Sequence, residues 1–99
     1  MIEQRDPRQR DENYLAWLRT LPCCICQDNT STEAAHLRLG QVNVKREAGM
    51  GEKPSDRWAL PLCHRHHVEQ HAMNESAFWL SYGLDPFALC MHYQERRDV

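Results

Sequence analysis

The stretch LPLCHRHHVEQH, residues 60–71, holds one cysteine and four of the chain's six histidines. Its start, continued backward through RWALPL (57–62), reads as a strand, and the residues from about His64 read as a helix. An α-helix turns about 100° per residue, so His67 and His71 lie about 40° apart, on one face, and can grip one ion. His66 lies about 100° from His67 and about 140° from His71, so it cannot readily join them. The cluster therefore divides. Cys63 and His66, spaced CxxH, turn toward one site, and His67 with His71 toward another, while His64 is expected to be solvated.

The partner pair lies upstream, in CCIC (23–26). Cys23 and Cys26 are spaced CxxC, and with Cys63 and His66 they complete a tetrahedral shell for a structural zinc ion. Cys24–Ile25–Cys26 offers a competing pair; the CxxC spacing favours Cys23 with Cys26. The interval between the pairs is longer than in a compact zinc ribbon, and a polar segment from Gly40 to Ser55 with three glycines and Pro54 accounts for the excess as a loop. A loop of that length inside a small domain is usually functional. The whole chain has 99 residues, enough for one domain with a small core, to which a metal staple adds stability.

Around this core, DENYLAWLRTL (11–21) sets Tyr14, Leu15, Leu18 and Leu21 at helical spacing, closed by Pro22. Asp11 is the expected N-cap, with Asp6–Pro7 as an earlier alternative. EAAHLRL (33–39) reads as a strand. Asn74 caps a short helix that carries Phe78 and Trp79 and ends at Gly83, and Asp85–Pro86 opens a last helix with Arg96 and Arg97 near its end. The expected organisation is one α+β domain: a helical arm over about 6–21, a zinc-stapled core over about 22–72 and C-terminal helices over about 74–97. Trp17, Trp58, Phe78 and Trp79 are expected in the core.

The formal net charge is −2. Between His36 and His67, however, Arg38, Lys45, Arg46, Lys53, Arg57 and Arg65 face only Glu47, Glu52 and Asp56, a local +3 that leaves −5 for the remainder. Such a patch can meet phosphate, with little long-range steering. No apolar run is long enough to span a membrane, and MIEQRDPRQR (1–10) lacks the apolar core of a signal peptide. The expectation is a cytoplasmic protein without a membrane partner, whose thiols stay reduced and are free to bind metal.

CCIC, EAAHLRLG, GEKPSDRWALPLCHRHH and HVEQH, spread over roughly Pro22 to Gly83, together resemble the HNH nucleases. They are most like the phage and prophage branch that includes the recombination-enhancement nucleases. The resemblance implies a ββα-metal finger and a metal-dependent DNA endonuclease that hydrolyses phosphodiesters. By position it makes His36 the general base and His67 a ligand of the catalytic ion, with His71 as the second helical ligand found in the bacteriocin DNases. Two departures stand out. Ala35 occupies the place of an aspartate or histidine that binds the metal, and Trp58 that of the asparagine that steadies the loop of the base. Asp56 is the candidate replacement, as a third ligand or as an orienting group.

The chemistry suits these residue types. An imidazole titrating near neutral pH can deprotonate water, and a divalent ion with open positions can take phosphate oxygens. Mg²⁺, Mn²⁺ and Zn²⁺ are candidates for this second ion, and imidazole ligands favour a transition metal over Mg²⁺. Arg38, two residues after His36 and so on its strand face, could clamp the substrate phosphate. Lys45, Arg46 and Lys53 are the expected contacts to the DNA backbone. The alternative reading is a non-catalytic zinc-stabilised module that binds nucleic acid or protein. A third is a subunit that cuts only with a protein partner or as a homodimer.

Overall fold

ALPLC (59–63) forms a strand in which every residue is buried, covered by the described elements around it. The computed structural model describes residues 10–38 and 55–97. In chain order, these form α1 (Glu12–Arg19), β1 (Thr32–His36), a single 3₁₀ turn (Asp56–Trp58), β2 (Ala59–Cys63), α2 (His64–Ala72), α3 (Glu75–Ser81) and α4 (Pro86–Arg96). The strands pair antiparallel, with Thr32 opposite Cys63, Ala34 opposite Pro61 and His36 opposite Ala59. This is a small α+β fold, built on one two-stranded sheet. The part of the expected arm that is described begins at residue 10 and is helical from Glu12.

Alternation along β1 sends successive side chains to opposite faces. On one face Ala34 packs with Ala59 against Tyr14, Leu15 and Leu18 of α1. On the other, Ala35 packs with Leu60, Leu62, Phe78, Trp79 and Cys90. The outer edge of β2 is covered as well. The Pro61 carbonyl accepts from the Cys24 N–H at 2.9 Å, and the Cys90 thiol of α4 lies 3.9 Å from the Ala59 carbonyl. A strand enclosed on both faces and along its edge has no polar positions, which is why its sequence is a run rather than an alternation.

The helix starts follow the side chains expected to cap them. Asp11 accepts from the Tyr14 N–H at 3.1 Å, Asn74 from that of Ala77 at 3.0 Å, and Asp85 from those of Phe87 and Ala88 at 3.0 and 3.3 Å. Gly83, at φ +67°, takes the left-handed conformation that ends α3 and lets the Leu84 N–H reach back to the Trp79 carbonyl at 3.1 Å.

One buried carboxylate fixes the end of β1. Glu75, only 9% exposed, accepts from the Arg38 N–H at 2.9 Å through one oxygen. Its other oxygen accepts from Gln70 Nε2 at 2.8 Å and Trp79 Nε1 at 3.1 Å, and Gln70 Nε2 also reaches the His36 carbonyl at 3.3 Å. A group that satisfies three donors cannot be removed cheaply, because each buried donor left alone costs about 1–3 kcal/mol. Glu75→Ala is therefore expected to destabilise the fold by about 3 kcal/mol or more, read as a lower denaturant midpoint with the metal content unchanged.

Candidate functional site

The turn after Pro22 is shaped by two backbone bonds, Cys23 N–H to the Asp28 carbonyl and Gln27 N–H to the Cys23 carbonyl, each 2.9 Å. Gln27 sits at φ 68°, a left-handed conformation uncommon outside glycine. The turn directs Cys23 and Cys26 at the junction of β2 and α2. There Cys63 ends the strand, and His66 lies in the first turn of the helix.

The four ligand atoms lie within 4.8 Å of one another. Cys26 Sγ is 3.8 Å from Cys63 Sγ, and His66 Nδ1 is 3.6 Å from Cys23 Sγ and 3.3 Å from Cys63 Sγ. A tetrahedron with Zn–S bonds of about 2.3 Å and Zn–N bonds of about 2.0–2.1 Å has edges of roughly 3.8 Å between sulfurs and 3.6 Å between sulfur and nitrogen. The donors fit a structural metal such as zinc.

The electrostatics agree with ligation. Burial opposes the Cys23 thiolate, but N–H groups of Cys26, Cys63 and Ile25 outweigh it and hold the thiol below its ordinary pKa. Burial and the nearby Arg65 charge keep His66 below the usual histidine value, favouring the neutral form that a metal needs. Cys24, the competing candidate, does not join this group of four, and burial pushes its thiol up to about 12. The pairing of Cys23 with Cys26 is thus the one the fold makes.

The remaining site residues fall on opposite faces of β1. On the α1 side, His36 Nε2 is 2.8 Å from Oδ1 of Asp56, a carboxylate 3% exposed. Asp56 Oδ2 accepts the backbone N–H of Asp11 at 2.7 Å. Asp11 in turn caps α1 and forms a two-contact ion pair with Arg97, which holds its carboxyl below the usual range.

On the α2 side, Glu33 joins two histidines: Oε1 is 2.6 Å from His67 Nδ1, and Oε2 is 2.9 Å from His64 Nδ1. His67 Nε2 lies 3.3 Å from His71 Nε2. Burial, and then the Arg38 and His67 charges, hold His71 below the usual histidine pKa.

Several expectations are corrected here. Of the two roles expected for Asp56, the ligand role is corrected: it does not join His67 and His71 but points to the α1 face, where it contacts His36, as an orienting group would, and Asp11. Among the described residues, Cys23, Cys26, Cys63 and His66 converge as a potential metal group, and Asp56, His67 and His71 do not form another. Arg38 does not continue the strand alternation, since β1 ends at His36; its N–H bonds Glu75, and its charge bears on His71 of α2. His64 is exposed but bonded to Glu33 rather than merely solvated. Lys45, Arg46 and Lys53 lie outside the described residues. Sequence reasoning missed Glu33, Gln70 and Glu75. Glu33 was within reach: it lies two residues before Ala35, on the same strand face.

Zinc in a closed thiolate–imidazole shell is worth on the order of 10 kcal/mol, comparable with the stability of a small domain. Cys26→Ala and Cys63→Ala are expected to lose both the metal and cooperative unfolding, whereas Cys24→Ala keeps one zinc per chain, as measured by elemental analysis and melting. A pH effect follows from His66. Its folded pKa lies below the ordinary value of 6.5, so the unfolded chain takes up the proton first, and the stability present above that pH is lost as it falls. Zinc retention against a fixed chelator is expected to decline below about pH 6.5.

No solved structure matches the chain. The Escherichia coli (strain K12) protein described as "Uncharacterized protein YdfU" is 36% identical over 72 residues, which are 73% of this chain and 19% of that protein. The chain thus spans about a fifth of the length of the curated relative it matches. A family model described as "Protein of unknown function (DUF968)" matches residues 1–96, and the chain belongs to that family.

Proposed function

We propose that the protein is a metal-dependent DNA endonuclease of the HNH type, in which His36 is the general base. The observation that carries this reading is the His36–Asp56 pair. An ionised carboxylate can only accept, so Asp56 draws the proton to His36 Nε2 and leaves the lone pair on Nδ1. A buried carboxylate that fixes the tautomer and angle of an imidazole is the arrangement by which histidine bases are oriented. Here it supplies the support that asparagine gives in the HNH pattern, since Trp58 stands at that position. The His36 ring is 21% exposed, so water and a phosphodiester can approach it.

The residues that would hold the catalytic ion are His67 and His71. Their Nε2 atoms are 3.3 Å apart, the edge of a tetrahedral shell with metal–nitrogen bonds of about 2.0–2.1 Å. Two imidazoles favour a transition metal such as Zn²⁺ over Mg²⁺. Such an ion would polarise the phosphate and stabilise the leaving oxygen. Arg38, whose charge is felt at His71, is suited to holding a phosphate oxygen beside it. The DNA would be gripped mainly through phosphates, with Lys45, Arg46 and Lys53 contributing.

A second reading, a non-catalytic zinc-stabilised module that binds nucleic acid or protein, is favoured by one observation. His36 and Glu33, which bonds His67, project from opposite faces of β1, and Ala35 supplies no ligand between them. The experiment that decides is a plasmid-nicking assay with a panel of divalent ions. We expect wild-type protein to nick DNA and His36→Ala to lose about 100- to 10,000-fold in rate while keeping its zinc and a cooperative melt, lowered only by the loss of one donor to Asp56. His67→Ala is expected to lose rate and second-ion binding but keep the structural zinc, and His66→Ala to lose the fold. If wild-type protein nicks nothing with any ion, the binding-module reading replaces the nuclease.

A further inference from the structure

His64, His67 and His71 stand at i, i+3 and i+7 of α2 and so form one stripe along the helix, while His66 and Gln70 form a buried second stripe. The exposed stripe meets β1 at a single carboxylate. Thr32 pairs with Cys63, the residue before the helix, which sets the neighbouring Glu33 against the first turn. Its two oxygens meet the Nδ1 atoms of His67 and His64 at 2.6 and 2.9 Å.

We propose that Glu33 is a positioning residue for His67, fixing that ring so that its Nε2 lone pair is presented, together with Nε2 of His71, to a divalent transition-metal ion. The proposal rests on the reading of His67 and His71 as ion ligands. An ionised carboxylate carries no proton, so the one shared with His67 belongs to Nδ1, and in the neutral ring the lone pair then falls on Nε2. That nitrogen is the one 3.3 Å from His71 Nε2. A carboxylate that accepts from the far nitrogen of a ligating histidine fixes its tautomer and raises its basicity, and loss of such a partner typically costs 10- to 100-fold in metal affinity. Ala35 has no group to offer, so the carboxylate two residues back on the same face takes part through the imidazole rather than as a direct ligand.

A purely structural role predicts something else. The Glu33 side chain is 40% exposed, and exposed ion pairs contribute little to folding. The test uses full-length zinc-loaded protein as wild type, E33A and E33Q. The His67 tautomer is read by long-range ¹H–¹⁵N NMR, Co²⁺ uptake beyond the structural zinc by calorimetry, and folding by thermal melting. The expected result is an Nδ1–H tautomer in the wild type that E33A loses, with Co²⁺ affinity lower by about 10- to 100-fold and an almost unchanged melt. E33Q, whose amide oxygen still accepts a hydrogen bond, is expected to recover part of both. Equal Co²⁺ affinity in wild type and E33A, or an Nε2–H tautomer in the wild type, overturns the positioning role alone. A wild type that keeps the Nδ1–H tautomer but takes up no second ion overturns the ion reading of His67 and His71, and with it the purpose assigned to Glu33.

Discussion

The junction of β2 and α2 is where the fold is tied. Cys63 ends the strand and His66 completes the first helical turn, so a metal held there with Cys23 and Cys26 fixes the angle at which α2 leaves the sheet. It also holds the cysteine turn against the outer edge of β2, where the Cys24 N–H meets the Pro61 carbonyl. The cysteine turn lies about 40 residues before the strand and helix it meets, and two strands alone would not hold together in water. The stripe of His64, His67 and His71 points outward because His66, on the adjacent stripe, points in.

Two buried carboxylates then fix the end of β1 from opposite sides. Glu75 takes the Arg38 N–H and, through Gln70, steadies the His36 carbonyl. Asp56 holds the His36 ring and is itself held by the Asp11 N–H. The backbone and the imidazole of the same residue are thus braced by different elements, α2 with α3 on one side and the start of α1 on the other. Placing one residue so completely has a cost, since both carboxylates leave water, and the donors they satisfy are what offsets it.

Much of this was legible because local rules and tertiary demands agree. Asp11, Asn74 and Asp85 announce helix starts through short side chains that accept from the first turn, and the buried run ALPLC could only be a strand or a core helix. The division of the histidines between His66 and His67 was set by helix angle alone. The potential metal ligands were readable from spacing, with the choice of Cys23 over Cys24 decided by which sulfur the turn brings beside Cys26, Cys63 and His66. What could not be read was pairing between distant polar groups. The resemblance offered Asp56 as an orienting group, but nothing local says that it also meets Asp11, or that Glu75 satisfies donors from Arg38, Gln70 and Trp79. Those contacts depend on the strand register and on where α1 and α3 pack. The reach of Arg38 was misjudged for the same reason: alternation holds only while the strand continues, and β1 stops at His36.

The ion pair between Asp11 and Arg97 joins positions 86 residues apart. A described unit whose first and last elements touch enters and leaves at one point on its surface. Such a unit can be spliced between two adjacent residues of a surface loop in another protein without prising the host apart. The same contact sets a limit on that freedom. Because Asp11 also supports Asp56, and Asp56 holds His36, a host that pulled the two ends apart would loosen the imidazole. Mechanical strain at the point of attachment would therefore be felt at the histidine on β1.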